Sequence, residues 1–356
     1  MEPGSDRYDN LLQEPPLEPG VFFSTLEEMT RGAWTLNAVI AAVELHLFDL
    51  STEPVTIADL ADKIGAESRI LAPLCELLAA TGFLCHEGEE YSTTKLSSTF
   101  LVRSSPWSQE NFVRKEGVMT RELWSRLADI VIQGPVKYSS EEFFGDLILA
   151  AMAENALCGR LQETVRAIAK IPGFPDFRKM IDLGGGHGLY AIALTRLNES
   201  LEAYVIDLPY VTRLTGDYIT RYHADRVHPI AGNFFDDDFG TGYDLVFSSS
   251  NPSGKSIEML PKIARSLREG GYFVTEQPAE EGRVDPLMKL EWHLWEIDSM
   301  EKPESESRHE AFPGREYLSA LRENGFDIVD TRLIEDKFRK GYLVVMVIAL
   351  KRKGQG

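Results

Sequence analysis

Around residue 183 an apolar run, Met180-Ile181-Asp182-Leu183, meets Gly184-Gly185-Gly186-His187-Gly188 and passes straight into residues of helical spacing. Glycines in such a turn permit positive φ and let the backbone approach a ligand where a Cβ would clash. The segment reads as the first strand-to-helix turn of an open α/β sheet, a standard ligand crevice. The dinucleotide pattern G-x-G-x-x-G does not fit it. Begun at Gly184, that pattern would put its last glycine on Leu189; begun at Gly185, it would put its second on His187. A shorter turn with no room for a pyrophosphate suits an adenosine carrying an amino-acid tail. A tight turn made only for packing is the plainer alternative.

Two further strand ends extend the pattern. In Tyr204-Val205-Ile206-Asp207-Leu208-Pro209, about one βαβ unit later, Asp207 closes the second strand. A carboxylate there can accept hydrogen bonds from both hydroxyls of a ribose. After the third strand comes Ala231-Gly232-Asn233-Phe234-Phe235, where an adenine would lie. Asn233 can satisfy a purine edge and Phe234 can pack on its face.

The elements that must hold these residues follow from patterning. Pro172-Gly173-Phe174-Pro175 marks a boundary, and beyond it strand-like and helix-like stretches alternate: 179–183, 189–197, 203–206, 226–230, 243–247, 256–267 and 272–275. That rhythm predicts a parallel sheet covered by helices, with 327–333 and 342–350 as two closing strands. The fold class expected is α/β, a Rossmann-like domain over 171–356. Residues 106–170, with Trp107, Trp124, Phe143, Phe144 and Met152, read as a helical linker that roofs a cleft.

Residues 1–20, with Pro15, Pro16 and Pro19, read as a mobile tail. Over 21–105 the pattern is helix, helix, turn, helix and a small β-wing. Thr56 and Asp59 resemble a capping box, Gly65 turns the chain, Gly82 stops the next helix, and the wing turns at 87–90. This is a winged-helix arrangement, which often reads DNA. Here the second helix, 68–78, carries a single basic residue, Arg69, and is apolar nearly all round, so burial at a dimer contact is the expectation rather than DNA recognition.

Composition narrows the partners. The chain has 356 residues, 43% hydrophobic and 26% charged, with a formal charge of −19. Such a surface repels polyphosphate backbones, so no nucleic acid is expected as partner. No apolar run reaches the ~18 residues a membrane span needs, so no membrane partner is expected either. The N-terminal segment lacks the basic start and apolar middle of a signal peptide. The three cysteines, Cys75, Cys85 and Cys158, have no metal-ligand spacing and suit a reducing compartment, with Cys75 and Cys85 packed in the core. A cytoplasmic protein without a metal is expected, and the acidic run Asp236-Asp237-Asp238 reads as a solvated loop.

The segments Asp182-Leu-Gly-Gly-Gly-His-Gly, Asp207-Leu-Pro, Gly232-Asn-Phe-Phe and Leu267-Arg-Glu-Gly-Gly-Tyr-Phe-Val-Thr-Glu276 together resemble class I methyltransferases. More narrowly, they resemble the two-domain small-molecule O-methyltransferases of plants and bacteria, over roughly residues 22–350. The resemblance implies S-adenosylmethionine as cofactor, an N-terminal winged-helix domain that makes a homodimer, and a small organic acceptor. It also implies a cofactor set of Asp182, Gly184, Gly186, Asp207, Asn233 and Phe234. Asn233 stands where the family usually has Asp, a change that keeps an acceptor.

One family feature is missing. Its general base is a His in an H-D-W-like segment shortly after the fourth strand, and the region here reads Phe247-Ser248-Ser249-Ser250-Asn251-Pro252-Ser253-Gly254-Lys255. The Lys common just before that His is also absent, with Ser249 near its place among the cofactor residues. The supporting Glu is missing near Pro313-Gly314-Arg315. A base adds typically 10²–10⁴-fold, whereas positioning supplies much of the rest, so an acceptor already ionised could dispense with it. Replacement bases in this reading are His293 and His309, the latter with Glu310 beside it to orient or tune the ring. A surface or packing role competes for each. Trp292, Trp295, Met288 and Met300 offer an aromatic and thioether lining, or simply core. Two other functions stay open: a family member that keeps the cofactor but runs decarboxylation, hydroxylation or pericyclic chemistry, and a non-catalytic binding protein.

Overall fold

The computed structural model describes residues 14–279, 285–298, 312–335 and 343–353. The chain divides into two compact units, Met1–Ser108 and Gln109–Gly356.

The first unit opens with a long helix, Pro19–Glu44, whose C-terminal half buries Val39, Ile40, Ala42 and Val43. Strand β1 (Val55–Thr56) leads into the helix Ile57–Ile64. Thr56 caps that helix by accepting from the Asp59 N–H at 3.2 Å, and its hydroxyl donates to Asp59 Oδ2 at 2.8 Å. Gly65, at φ 71°, ends it in the left-handed region open to glycine. The helix Ser68–Ala80 follows, then β2 (Leu84–Glu87) and β3 (Glu90–Thr93), in a small sheet of order β1-β3-β2. Only the side of Leu71, Cys75 and Leu78 is buried within the chain; Ile70 on the same helix is 62% exposed. Cys75 is core, as its setting suggests, but Cys85 is exposed: it follows Leu84 on a strand that buries only its first residue.

The second unit carries a seven-stranded sheet of order β11-β12-β9-β8-β5-β6-β7. Its members are β5 (Lys179–Leu183), β6 (Glu202–Asp207), β7 (Val227–Ala231), β8 (Tyr243–Ser249), β9 (Leu267–Pro278), β11 (Phe326–Glu335) and β12 (Leu343–Lys351). Strands β5 to β9 pair in parallel, and β12 inserts antiparallel between β9 and β11. A separate parallel pair joins β4 (Val136–Tyr138) to β10 (Trp295–Ile297).

Both faces of the sheet's central strands are covered, so successive residues of β5, β8 and β12 are buried, whereas the edge strand β11 leaves one face exposed. Met180, Val205, Phe247 and Val274 pack on one side with Leu161, Ile168, Ile192 and Leu194 from helices Arg160–Ala169 and Leu189–Leu197. Ile181, Ile206, Val246 and Phe273 pack on the other with Leu260, Ile263, Tyr317 and Leu321 from helices Leu260–Ser266 and Arg315–Glu323. The unbroken hydrophobicity of 344–349 follows from this, because every residue of β12 there meets one layer or the other. The expected α/β fold, a Rossmann-like sheet with a helical N-terminal unit, is the one observed. The parallel strand order reverses between β5 and β8, and ligands of open α/β sheets bind outside the carboxyl ends of the strands at such a point.

Candidate active site

The carboxyl end of β5 carries the glycine turn. Gly184, Gly186 and Gly188 take φ values of 64°, 54° and 70°, all in the left-handed region that side chains resist. Space is short as well as backbone freedom. A Cβ on Gly184 would lie 2.9 Å from Asn251 Nδ2 and 3.1 Å from Phe234 Cε1, and one on Gly185 would lie 2.7 Å from Asp182 Oδ2.

Asp207, at the end of β6, reaches back to this turn. Its Oδ2 accepts the Gly186 N–H at 2.9 Å and its Oδ1 accepts the Leu208 N–H at 2.8 Å. The hydroxyl of Thr215 donates to the Gly186 carbonyl at 2.6 Å, closing the turn from the far side. Burial raises the Asp207 carboxyl above its usual range, against the lowering effect of the two N–H donors. Asp182 is 1% exposed, and burial, then the Asp207 charge, push its pKa well up. Its Oδ2 has no hydrogen-bond partner among the described residues. A buried acceptor left without a donor is costly, and such sites invite a ligand group that supplies one.

Asn233 and Phe234 follow β7. The Asn233 amide donates to Asp236 at 2.7 Å and its carbonyl accepts the Phe235 N–H at 3.0 Å, while its backbone N–H donates to Asp237 at 2.8 Å. Asp236 and Asp237 thus fold back onto Asn233, while the acidic run 236–238 is exposed, as expected of a solvated loop. Lys262 fastens the segment by donating to the carbonyls of Phe234, Phe235 and Asp237.

Ser249 ends β8 in a cluster that sequence reasoning missed. Arg160 donates through Nε to Glu276 and through Nη2 to Ser249 Oγ at 3.2 Å and Ser250 Oγ at 2.5 Å. The Glu276 side chain is fully buried, and its other oxygen accepts from Thr164 at 2.5 Å. Ser249 also contacts the buried Tyr190 phenol, whose pKa is raised by burial first and the Glu276 charge second. His187 lies nearby, its Nδ1 accepting the Leu189 N–H at 3.1 Å. Burial, then the Arg160 charge, lower its pKa to about 4, so the ring is neutral at physiological pH. Asn251 was also missed: its amide donates to Leu183 O at 2.7 Å, tying the turn after β8 to the end of β5.

The sequence therefore brings Asp182, Gly184, Gly186, Asp207, Phe234 and Ser249 to one rim. His293 is exposed at the end of helix Pro286–His293, and His309, Glu310 and Met300 lie outside the described residues. Trp295 is 9% exposed and stacks on Phe143 with centroids 4.4 Å apart, in a core with Leu123 and Ile130; Trp292 is 43% exposed. Among the described residues, no cluster of His, Cys, Asp and Glu has the arrangement of a metal site, and no helix is long and apolar enough to cross a membrane.

An open sheet of this order, with a glycine turn and an acid on neighbouring strand ends, defines a Rossmann-like nucleoside-binding unit. Residues 136–327 match the model of the O-methyltransferase domain, and residues 27–103 match that of the O-methyltransferase dimerisation domain. The chain belongs to the O-methyltransferase family, and as such is an S-adenosylmethionine-dependent methyltransferase. An uncharacterised protein of Methanocaldococcus jannaschii is 29% identical over 329 residues, covering 90% of this chain and 88% of its own. Acetylserotonin O-methyltransferase of Macaca mulatta is 27% identical over 311 residues, covering 80% and 88%. An O-methyltransferase family protein from Burkholderia thailandensis has a similar fold at TM-score 0.70 and 22% identity, covering 95% of this chain and 100% of that one. Human N-acetylserotonin methyltransferase, solved with its cofactor, gives TM-score 0.67 at 20% identity, covering 96% and 100%.

Proposed function

We infer that this chain transfers a methyl group from S-adenosylmethionine to a small organic metabolite, without the His base usual in its family. The observation that carries the reading is the pairing of the glycine turn with Asp207 across β5 and β6. Backbone N–H groups and carbonyls freed of side chains at 184–188 take the amino-acid tail, and Asp207 has lone pairs left for ribose hydroxyls beyond the two N–H groups it already accepts. The partnerless Asp182 Oδ2 fits the same ligand, since an ammonium group beside the turn would satisfy it. Phe234, against Gly184, offers a ring face to a purine, and Asn233 offers its polar edge.

When bound, the cofactor supplies an electrophilic methyl on a sulfonium. The chain's task is to hold the acceptor in line with it and to exclude water. The segments 136–144 and 286–298, joined by the β4–β10 pair, are the cover of the acceptor pocket in this reading, and the N-terminal unit is a homodimer contact. Proton removal by His309, by His293 or by the acceptor's own acidity completes the scheme.

Incubation with methyl-labelled cofactor and a metabolite extract tests it. Label in a small organic product is the expected result. Tight retention of the cofactor with no labelled product after full turnover time would shift the reading to the non-methylating chemistries or to a binding protein.

A further inference from the structure

The segments 136–144 and 295–298 meet in a clasp. Just past the paired ends of β4 and β10, Ser140 donates through its N–H and its hydroxyl to Asp298 Oδ1, at 2.9 and 2.6 Å. Ser140 opens the helix Ser140–Phe143, and Asp298 donates its own N–H to the Tyr138 carbonyl at 3.2 Å. The helix Pro209–Arg221 turns one face toward this clasp: Arg213 donates to Asp146 at 2.5 Å, and Tyr210, three positions earlier, lies against Ser140. The Tyr210 hydroxyl is buried and completes no hydrogen bond among the described residues. Burial first of all raises its pKa to about 12, with Asp207, Asp298 and Glu141 adding to the rise and Ser140 opposing it. The phenol is therefore a neutral donor at physiological pH. Ser140 Oγ, whose proton points at Asp298, has lone pairs to offer it. A buried donor beside an acceptor it does not reach is costly, and a small shift removes the cost.

We propose that Tyr210 is a positioning residue that couples Asp207 to the Ser140–Asp298 clasp. Asp207 Oδ1 accepts the Leu208 N–H at 2.8 Å, so residues 208–210 hang from that carboxylate. Given Asp207 as the ribose anchor, the reading on which this rests, ribose hydroxyls donating to it fix the carboxylate and the turn 208–210 with it. The phenol then completes its bond to Ser140, and the clasp stiffens. The acceptor pocket, covered by 136–144 and 286–298, takes its shape once the nucleoside is in place. A ligand shifts such an equilibrium only through its preference for one state, and the effect runs equally in reverse. Cofactor affinity therefore contains a share contributed by Tyr210 and Ser140, although neither is required to touch the cofactor.

Amide hydrogen exchange over 136–144 and 295–298, with and without saturating S-adenosylhomocysteine, tests the coupling. The proteins compared are the natural chain, Tyr210→Phe, Ser140→Ala and the double variant, with S-adenosylhomocysteine affinity read by calorimetry. In the natural chain the ligand should slow exchange in both segments by about fivefold or more. In either single variant that gain should fall below about twofold, with affinity weakened by no more than the factor lost. The double variant should lose nothing further, because both substitutions remove one bond. A natural chain whose two segments gain no protection overturns the proposal, as do variants that keep the full gain. Lower protection in Tyr210→Phe before any ligand is added, followed by the usual gain, marks a packing role and overturns it too. So does a loss of affinity far beyond the lost protection, which would make Tyr210 part of the cofactor site itself. Natural protein that does not bind S-adenosylhomocysteine would instead remove the reading of Asp207 as ribose anchor.

Discussion

The Cβ position of Gly184 and the side-chain amide of Asn251 claim the same space: a methyl group built on the glycine would lie 2.9 Å from the Nδ2 that donates to Leu183 O at 2.7 Å. The backbone conformation, φ 64°, resists a side chain independently. Gly184→Ala should therefore push Asn251 off Leu183, open the turn and weaken S-adenosylhomocysteine by about tenfold, with about 1–3 kcal/mol lost from unfolding stability. Calorimetry and denaturant melts read the two effects. An alanine variant that binds normally would show that the turn is not part of the cofactor site.

Asp207 is the complementary anchor on the next strand. Asp207→Ala removes the acceptor of the Gly186 and Leu208 N–H groups and the two charge-assisted bonds expected to ribose hydroxyls. Cofactor affinity should fall by roughly an order of magnitude or more. Unchanged affinity in a calorimetric titration would remove Asp207 from the site.

Asp182 predicts a trade of stability against binding. Its pKa is raised by burial and then by Asp207, so its contribution to stability is present below the ordinary carboxylate range and is lost as pH rises through the raised value. Asp182→Asn, neutral throughout, should melt roughly 2–6 °C above the natural protein at neutral pH, with the gap closing under acid. The same variant should bind S-adenosylhomocysteine more weakly, since an amide attracts an ammonium less than a carboxylate does. Thermal melts across pH together with titration check both halves, and a variant less stable at pH 7 would contradict the assignment of cause.

What was legible beforehand follows a physical division. Alternating strands and helices, the glycine turn and Asp207 are local patterns, because each owes its form to neighbours in sequence. The Arg160–Glu276 cluster is not: a lone arginine opening a helix carries no mark of the glutamate 116 positions away that it will meet. Cys85 was misjudged for a related reason, since apolar neighbours in sequence do not say which face of a two-stranded wing is covered. The family's missing His was visible as an absence, whereas its replacement depends on which distant side chains converge.

The candidate bases can be told apart by substitution. His293 is exposed at a helix end, so His293→Ala should keep turnover within about twofold of the natural protein. His309→Ala is the informative variant: a drop of about 10²-fold or more in kcat, with loss of the pH dependence on the basic-form limb, is expected if it is the base. Equal turnover of both variants and the natural protein would leave an acceptor that arrives ionised.

The surface of the first unit makes the last prediction. Along the helix Pro19–Glu44, Phe22, Phe23, Met29 and Trp34 are 61%, 63%, 68% and 68% exposed, on a segment whose far end is core. Apolar side chains this large, clustered on one element, mark an interaction surface rather than a solvated face. The match of residues 27–103 to a dimerisation domain supports a second copy of the chain as the occupant. Light scattering should give twice the chain mass, and Phe23→Asp with Trp34→Asp should halve it, since two charges cannot be desolvated in such a contact without partners. The variant should still bind S-adenosylhomocysteine, because every residue assigned to that ligand lies in the second unit. A natural protein that runs as a monomer at micromolar concentration would leave these aromatic side chains in want of another partner.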